Sequence, residues 1–464
     1  MKNLRHTSLA TTIKKDKALL EKTQLPIITV SSSYLEDLKG FYKLPEIDTT
    51  ADVVFSRAHY SMALAVAVEA WGNKIDPAKA WVVDPTNYVH TKDWSGVVLT
   101  ETIGKLLARA PMLKKLKDLV DKFGRNKLPI LESITPPLLQ LTKDIKKPIL
   151  SMHIASGNIL ATQGKQVYQM ITDPHVRADY LNEAQRDNIK FLVFDETTKA
   201  DFFKKAKQLE KKVNPNQVIV TGPPIDPRII KAGQTKKVWT NGPLKLVLTT
   251  GGLGTNKNEL KQILQQLLPE MKKGSARIQV LVYAGTHQDI AHMIKKLALE
   301  ENIAVNEVSE TDPANFYAKG NLTQLKNSTS IKEKLNQAQL SLIYHPQIID
   351  ANELLTQFAF PWADGFISKP SGDMAYDAVA SGSFLLTLQE WGEWELNIRK
   401  IFTKLGVAQK AQVADILTQL DHITTAHNKT KPWVTQAMQA THKIDQPFGC
   451  GVRNIVKTVQ KNKN

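Results

Sequence analysis

Short apolar runs, rich in β-branched and aromatic residues, recur along the chain, and the stretches between them carry the 3.6-residue period of helices. In the first half "ADVVFS" (51–56) reads as a strand, "HYSMALAVAVEAW" (59–71) as a helix and "AWVVD" (80–84) as a strand again. Further strands are expected at 147–155, 167–173, 189–195 and 216–222. Continuous apolar runs of this length, separated by helical segments, are what a parallel sheet covered on both faces requires. The stretch 222–243 is dense in Pro, Gly and Lys and reads as a linker. The second half restarts with "LKLVLTTGG" (244–252), a helix over 257–272, a strand over 277–285 and a helix from "HQDIAHMIKKLALEEN". Residues 303–338 are polar and read as an insertion or irregular region, after which "LSLIYH", "WADGFIS" and "FLLTL" resume the strand pattern before a long helical tail.

The pattern divides the chain into an N-terminal extension (1–50, with "LPIITVSSS" hinting at a strand), an α/β domain (51–228), a linker (229–243), a second α/β domain (244–440) and a closing segment (441–464). Two doubly wound domains facing each other across a cleft are the expected architecture.

Composition narrows the class. A length of 464 residues exceeds one compact core, and no apolar run approaches bilayer-spanning length. The basic N-terminus has no continuous apolar segment and no small-residue cleavage pattern, so it is read as neither signal peptide nor anchor. One cysteine, Cys450, leaves no intrachain disulfide framework and fits a reducing cytoplasm. The net charge of +16 attracts anions, whether nucleic acid, anionic lipid or phosphorylated substrates. The basic residues are scattered, with no zinc-finger spacing, RNP-like aromatic motif or Arg-rich block, which argues against nucleic acid. The stretch 103–127 is basic and amphipathic. It is read either as an ordinary surface helix or as a peripheral element whose lysines seek an anionic membrane.

Three strand ends carry candidate chemistry, where open α/β sheets bind ligands. In "LTTGGLGTNK" (248–257), Thr250, Gly251, Gly252 and Gly254 lie between a strand and a helix. Glycines there let backbone N–H groups approach a diphosphate, although many such turns need glycine for geometry alone. In "SKPSGDMAYDAVASG" (368–382), Ser371 and Gly372 are candidate phosphate contacts, with Lys369 beside them supplying charge or closing the loop by an internal ion pair. Asp373 is the expected helix N-cap, Asp377 one turn on is placed to take ribose hydroxyls, and Ser368 completes the strand end. His59, at a strand-to-helix turn, is a candidate general base, and Asp173 and His175 follow another strand of the same domain.

These pieces, in this order, resemble the GT-B glycosyltransferases that include the lipid-intermediate N-acetylglucosaminyltransferase of peptidoglycan synthesis and the monogalactosyldiacylglycerol and diglucosyldiacylglycerol synthases. "ADGFISKPSGDMAYDAVASGSF" is similar to their C-terminal signature, with Ser371 and Gly372 at the paired-glycine positions, Met374 at a Thr position and Asp377 at the acidic one. The family's Gly-Gln-Glu-x-x-Asn falls on Gly392, Glu393, Trp394 and Asn397, and its Gly-rich turn ending in His falls on Ser56-Arg57-Ala58-His59. The resemblance spans most of residues 51–455 at low identity. It implies a GT-B fold, a nucleotide-sugar donor (UDP-linked) held by the second domain, a lipid or lipid-linked acceptor held by the first, and inverting transfer that needs no bound metal and no cofactor. Glu393 and Asn397 would face the donor sugar, and Arg57, replacing a glycine, would bind an anion with His175 nearby. His59 or Asp173 would be the base. The same fold hosts nucleotide-sugar 2-epimerases, and the altered turn before His59 also fits a GT-B-like protein that binds a nucleotide or anion without catalysis. The expected location is the cytoplasm, at the inner face of the membrane.

Overall fold

The computed structural model describes residues 9–33, 53–72, 74–89, 99, 102, 129–274, 277–309, 328–426, 430–444 and 448–461. The amphipathic stretch 103–127 lies outside them. Chain compactness divides the molecule into two units, Met1–Pro224 with Cys450–Asn464, and Ile225–Gly449.

The first unit contains β1 (Leu25–Ile28), β2 (Ser32–Ser33), β3 (Val53–Val54), β4 (Ala80–Val83), β5 (Ile149–Ser151), β6 (Val167–Met170), β7 (Ile189–Val193) and β8 (Val218–Val220). Its main sheet runs β4-β1-β5-β6-β7-β8, and every pairing is parallel. All four residues of β1 are buried, as a sheet covered on both faces demands.

Two expectations change here. Of the segment 1–50, residues 9–33 are no separate extension, because the helix Leu9–Lys22 and β1 belong to the first unit and β1 lies inside its sheet. Pro26 demotes this run when it is read as sequence. In the fold, Leu25 and Thr29 donate their N–H groups toward β4 (3.0 and 3.1 Å), so the even-numbered Pro26 turns its missing donor to the other side, where pairing with β5 begins only at Ile27. Conversely, among the described residues of "ADVVFS" (53–56) only Val53 and Val54 form a strand, paired antiparallel with Ser33 and Ser32 in a two-stranded ribbon outside the main sheet.

The second unit contains β9 (Leu244–Thr249), β10 (Ile278–Gly285), β11 (Val305–Val308), β12 (Leu340–Tyr344), β13 (Gly365–Ser368), β14 (Phe384–Thr387) and β15 (Ala408–Lys410). They pair in parallel in the order β11-β12-β10-β9-β13-β14-β15. Its apolar core draws Leu246 and Leu248 of β9, Val280 and Val282 of β10 and Ile263, Leu264 and Leu267 of the helix Lys257–Lys272 into one cluster. The two Rossmann-like doubly wound sheets expected from the hydrophobic pattern are thus present.

The region read as a linker is also corrected. Residues 227–235 form a helix of the second unit, with Asp226 accepting from Arg228 N and Pro227 in the first turn. A proline there forfeits no bond, because first-turn N–H groups have no partner within a helix. Gly233 lets this helix touch the helix Met374–Ala380, since a Cβ at Gly233 would stand 2.0 Å from Ala380 O. The polar region 303–338 supplies the edge strand β11 and the helix Ser328–Gln337, with 310–327 outside the described residues. The closing helix Gly451–Lys461 packs on the helix Arg57–Trp71 of the first unit, and Asn454 donates to Thr221 O at 2.9 Å.

Candidate functional site

Each sheet has one place where the chain leaves a strand for one side and later returns to the other. In the second unit β9 leads to β10 on one flank, and β13 then takes the other. The loops beyond the carboxyl ends of β9 and β13 therefore splay apart and open a crevice. Residues 250–256 and 369–373 are those loops. A hydrogen bond of 2.6 Å between Thr249 Oγ1 and Ser368 Oγ ties the two strand ends together.

The first loop turns tightly. Gly254 N donates to Gly251 O (2.7 Å), Gly254 has φ +69°, and Asn256 opens the helix Lys257–Lys272 from the left-handed region. His287 Nε2 lies 3.1 Å from Gly252 O and braces the turn. A Cβ on Gly251 would come 2.3 Å from Thr255 Oγ1 and 2.9 Å from Lys369 Cε, so a side chain there would force Thr255 and Lys369 to shift. Thr255 Oγ1 is buried there with no hydrogen-bond partner. The first-turn N–H groups of a 16-residue helix open on the same place and favour negative charge.

The second loop modifies several sequence assignments. Lys369 is held by an internal ion pair, with its Nζ 2.5 Å from Glu395 Oε1 and 5.4 Å from the centre of the Trp391 ring. Glu395 also accepts from Trp391 N at 2.6 Å. Asp373 makes no capping bond. Ser371 Oγ instead accepts from Met374 N (3.3 Å) and donates to Asp373 Oδ1 (2.6 Å), because the hydroxyl three residues back reaches the N–H that the Asp373 carboxylate does not. The N–H of Ser371 is also committed, donating to Lys369 O at 2.8 Å, which removes it from the expected phosphate donors. Asp377 sits one turn into the helix, 5% exposed. Glu393, the first residue of the helix Glu393–Lys404, is exposed and Asn397 is half-buried. Thr250, Ser368 and Asp373 are buried, whereas Gly252 and Ser371 are partly exposed.

In the first unit the corresponding place lies beyond β1 and β5, on either side of which the chain runs to β4 and β6. Ser56 caps the helix Arg57–Trp71 by accepting from His59 N (3.4 Å), which fixes His59 in the first turn. His153, two residues past the end of β5, accepts from Ala155 N through Nδ1 (3.2 Å) and packs edge-on against His59, ring centres 4.9 Å apart. Thr172 Oγ1 lies 3.4 Å from His59 Nε2, with half-buried Asp173 next in the chain. His175 is drawn elsewhere, 3.5 Å from Lys205 Nζ on the helix Glu196–Gln208, and Arg57 is buried, 7% exposed. Behind this site the Asp84 carboxylate accepts from Ser31 and Ser32 N (2.7 and 3.0 Å) and from Thr86 N (3.0 Å), locking the turn after β1. Burial pushes its carboxyl up against the pull of these donors.

Sequence reasoning missed His153, Thr255, His287, Trp391 and Glu395. His153 stood inside a stretch read as strand, and Glu395 lay two residues past the motif position given to Glu393, a helical offset that turns the second carboxylate inward.

Among known proteins, a family model described as a domain of unknown function (DUF6938) matches residues 230–381, about a third of the chain. No curated protein matches in sequence. Among solved structures, UDP-GlcNAc 2-epimerase from Neisseria meningitidis bound to UDP-GlcNAc is similar at 13% identity and TM-score 0.48, covering 94% of this chain and all (100%) of that one. Medicago truncatula UGT71G1 complexed with UDP-glucose gives 11% identity, TM-score 0.46 and coverages of 96% and 100%. Acinetobacter baumannii MurG gives 13%, 0.39, and 72% and 78%. At these values the likeness is one of fold alone.

Proposed function

We propose that the chain is a GT-B glycosyltransferase that moves a hexose or N-acetylhexosamine from a UDP-sugar to a lipid or lipid-linked acceptor, working at the cytoplasmic face of a membrane. The observation that carries this reading is the convergence at the second switch point. There the Gly251 turn, the buried and unpartnered Thr255 hydroxyl and the N-terminus of a long helix meet beside the loop at 369–373. These groups suit the diphosphate of a donor. Gly252, Gly254 and Gly372 keep the backbone open to it, Asp377 is assigned to the ribose, and Glu393 and Asn397 to the sugar. In the first unit His59 is the base, steadied by His153 and Thr172, with Asp173 beside it and Arg57 on the acceptor side, while His175, drawn to Lys205, takes no part.

The acceptor oxygen attacks the anomeric carbon as its bond to the diphosphate breaks, so the configuration inverts. His59 takes the acceptor's proton, and the helix N-terminus and loop N–H groups stabilise the departing UDP. Lys369 does not meet the diphosphate as a free charge; its ion pair with Glu395 shapes the loop.

Thermal unfolding with UDP, GDP, ADP, CDP and dTDP is the first test, because a ligand binding only the folded state at about 100 times its Kd adds about 2.7 kcal/mol. A selective rise with UDP supports the reading, and no rise with any of them removes it. UDP-sugar isomerised without an acceptor would establish the epimerase instead. Full turnover by His59→Ala would remove His59 as base.

A further inference from the structure

At the other end of the second sheet, where β9 and β13 begin, lies a depression of about 760 Å³ whose wall includes Lys231, Lys237, Trp239, Lys245, Trp362 and Asp364. β9 rises about 3.3 Å per residue, which puts Lys245 roughly 13 Å along the strand from Thr249, where the strand ends short of the Gly251 turn. The two places are chemically separate.

Two basic side chains on this wall are already committed. Arg228 is paired with Asp226 (2.7 Å) and with Glu353. The Lys236 ammonium donates to Phe360 O and Ala363 O, both at 2.6 Å, and to Ser383 Oγ at 2.8 Å. Lys231, Lys237 and Lys245 form no ion pair among the described residues. Lys245 Nζ lies over the Trp362 ring at 5.7 Å and donates to Asn336 Oδ1 at 2.8 Å. The carboxylate of Asp364 accepts from the Lys245 backbone N–H at 2.9 Å. The indole N–H groups of Trp239 and Trp362 are buried and have no hydrogen-bond partner. A buried donor left unpaired costs about 1–3 kcal/mol, a cost that a small shift of either ring toward an acceptor in the depression would relieve.

Three ammonium groups and two indoles are donors only. Their complement is a group made of acceptors, carrying more than one negative charge and more than the two oxygens of a carboxylate. A phosphate monoester meets those terms, and its organic part would lie against the indole faces. The depression is open to solvent, but its volume falls in the range of small-molecule sites. We propose that this depression is a second ligand site of the chain, binding the phosphate monoester of a small polar molecule such as a phosphorylated sugar.

The test is calorimetric titration of the full chain with glucose 6-phosphate and with inorganic phosphate, both in the presence of saturating UDP, alongside flotation with phosphatidylglycerol vesicles. Saturable monoester binding is expected, weakened about tenfold in Lys231→Glu/Lys237→Glu, with the UDP-induced shift in unfolding temperature unchanged. Both lysines are exposed, so the variant folds. Trp362→Phe keeps the ring, removes the N–H and is expected to weaken binding severalfold. Equal affinity in the double variant, no saturation by about 10 mM monoester, or binding to vesicles alone would overturn the proposal.

Discussion

Replacing Glu395 by Gln tests the most buried charge in the candidate donor site. Its side chain is 1% exposed and holds Lys369, itself 11% exposed, at 2.5 Å. Removing one partner of a buried pair costs about 3–5 kcal/mol because the other charge is left uncompensated. Lys369 keeps partial access to water and the Trp391 ring at 5.4 Å, which lowers the expected cost of Glu395→Gln to about 2–3 kcal/mol. Lys369→Met strands the less accessible carboxylate, which still accepts from Trp391 N, and is expected to cost about 3 kcal/mol. The double variant buries neither charge and should cost less than either single change, a coupling of about 3 kcal/mol. Urea unfolding followed by the fluorescence of Trp239, Trp362, Trp391, Trp394 and Trp433, all in the second unit, reads these differences. Costs that add to within about 0.5 kcal/mol would refute the ion pair as a structural unit. The same variant has a functional readout. Freed of Glu395, the Lys369 charge stands beside Gly251, so UDP should bind Glu395→Gln several times more tightly than the parent.

Gly251→Ala forces a Cβ to 2.3 Å from Thr255 Oγ1; UDP affinity should fall about tenfold with a stability loss of about 1–2 kcal/mol, and unchanged affinity in a binding titration would remove the loop from the donor site. Gly233→Ala meets backbone, Ala380 O at 2.0 Å, and should lower stability by about 3 kcal/mol in urea unfolding, whereas a neutral change would mean that these helices separate readily. Burial pushes the Lys236 ammonium down to about 7 from an ordinary 10.5. Between those values the unfolded chain holds more protons than the folded one, so stability rises with pH by up to about 1.4 kcal/mol per unit. Lys236→Met should lose that rise, and equal slopes from pH 7 to 9.5 in parent and variant would refute the assignment.

The parallel α/β class was legible in the chain because a strand covered on both faces must be largely apolar, and β9, β10, β13 and β14 read so apart from Lys245 and Gln279 near the starts of the first two. The Gly251 turn was legible for a related reason, since a strand end followed by glycines and a helix has few other uses. Where the sequence misled, one residue type served two structures. Proline suggested a linker at 222–243, yet Pro227 opens a helix, and Pro26 sits inside a sheet because its missing donor falls where no neighbour has begun. Hydroxyl and carboxylate compete for one N–H at Ser371 and Asp373, and only the fold chose Ser371. The partners of the charged groups were decided by tertiary structure alone. Lys369 and Glu395, or His59 and His153, are far apart in the chain, and what brings them together is the order in which parallel strands were laid beside one another. Local pattern determines which segments become strands and helices, while sheet order, a long-range property, determines which strand ends share a crevice and hence which side chains can act on one ligand.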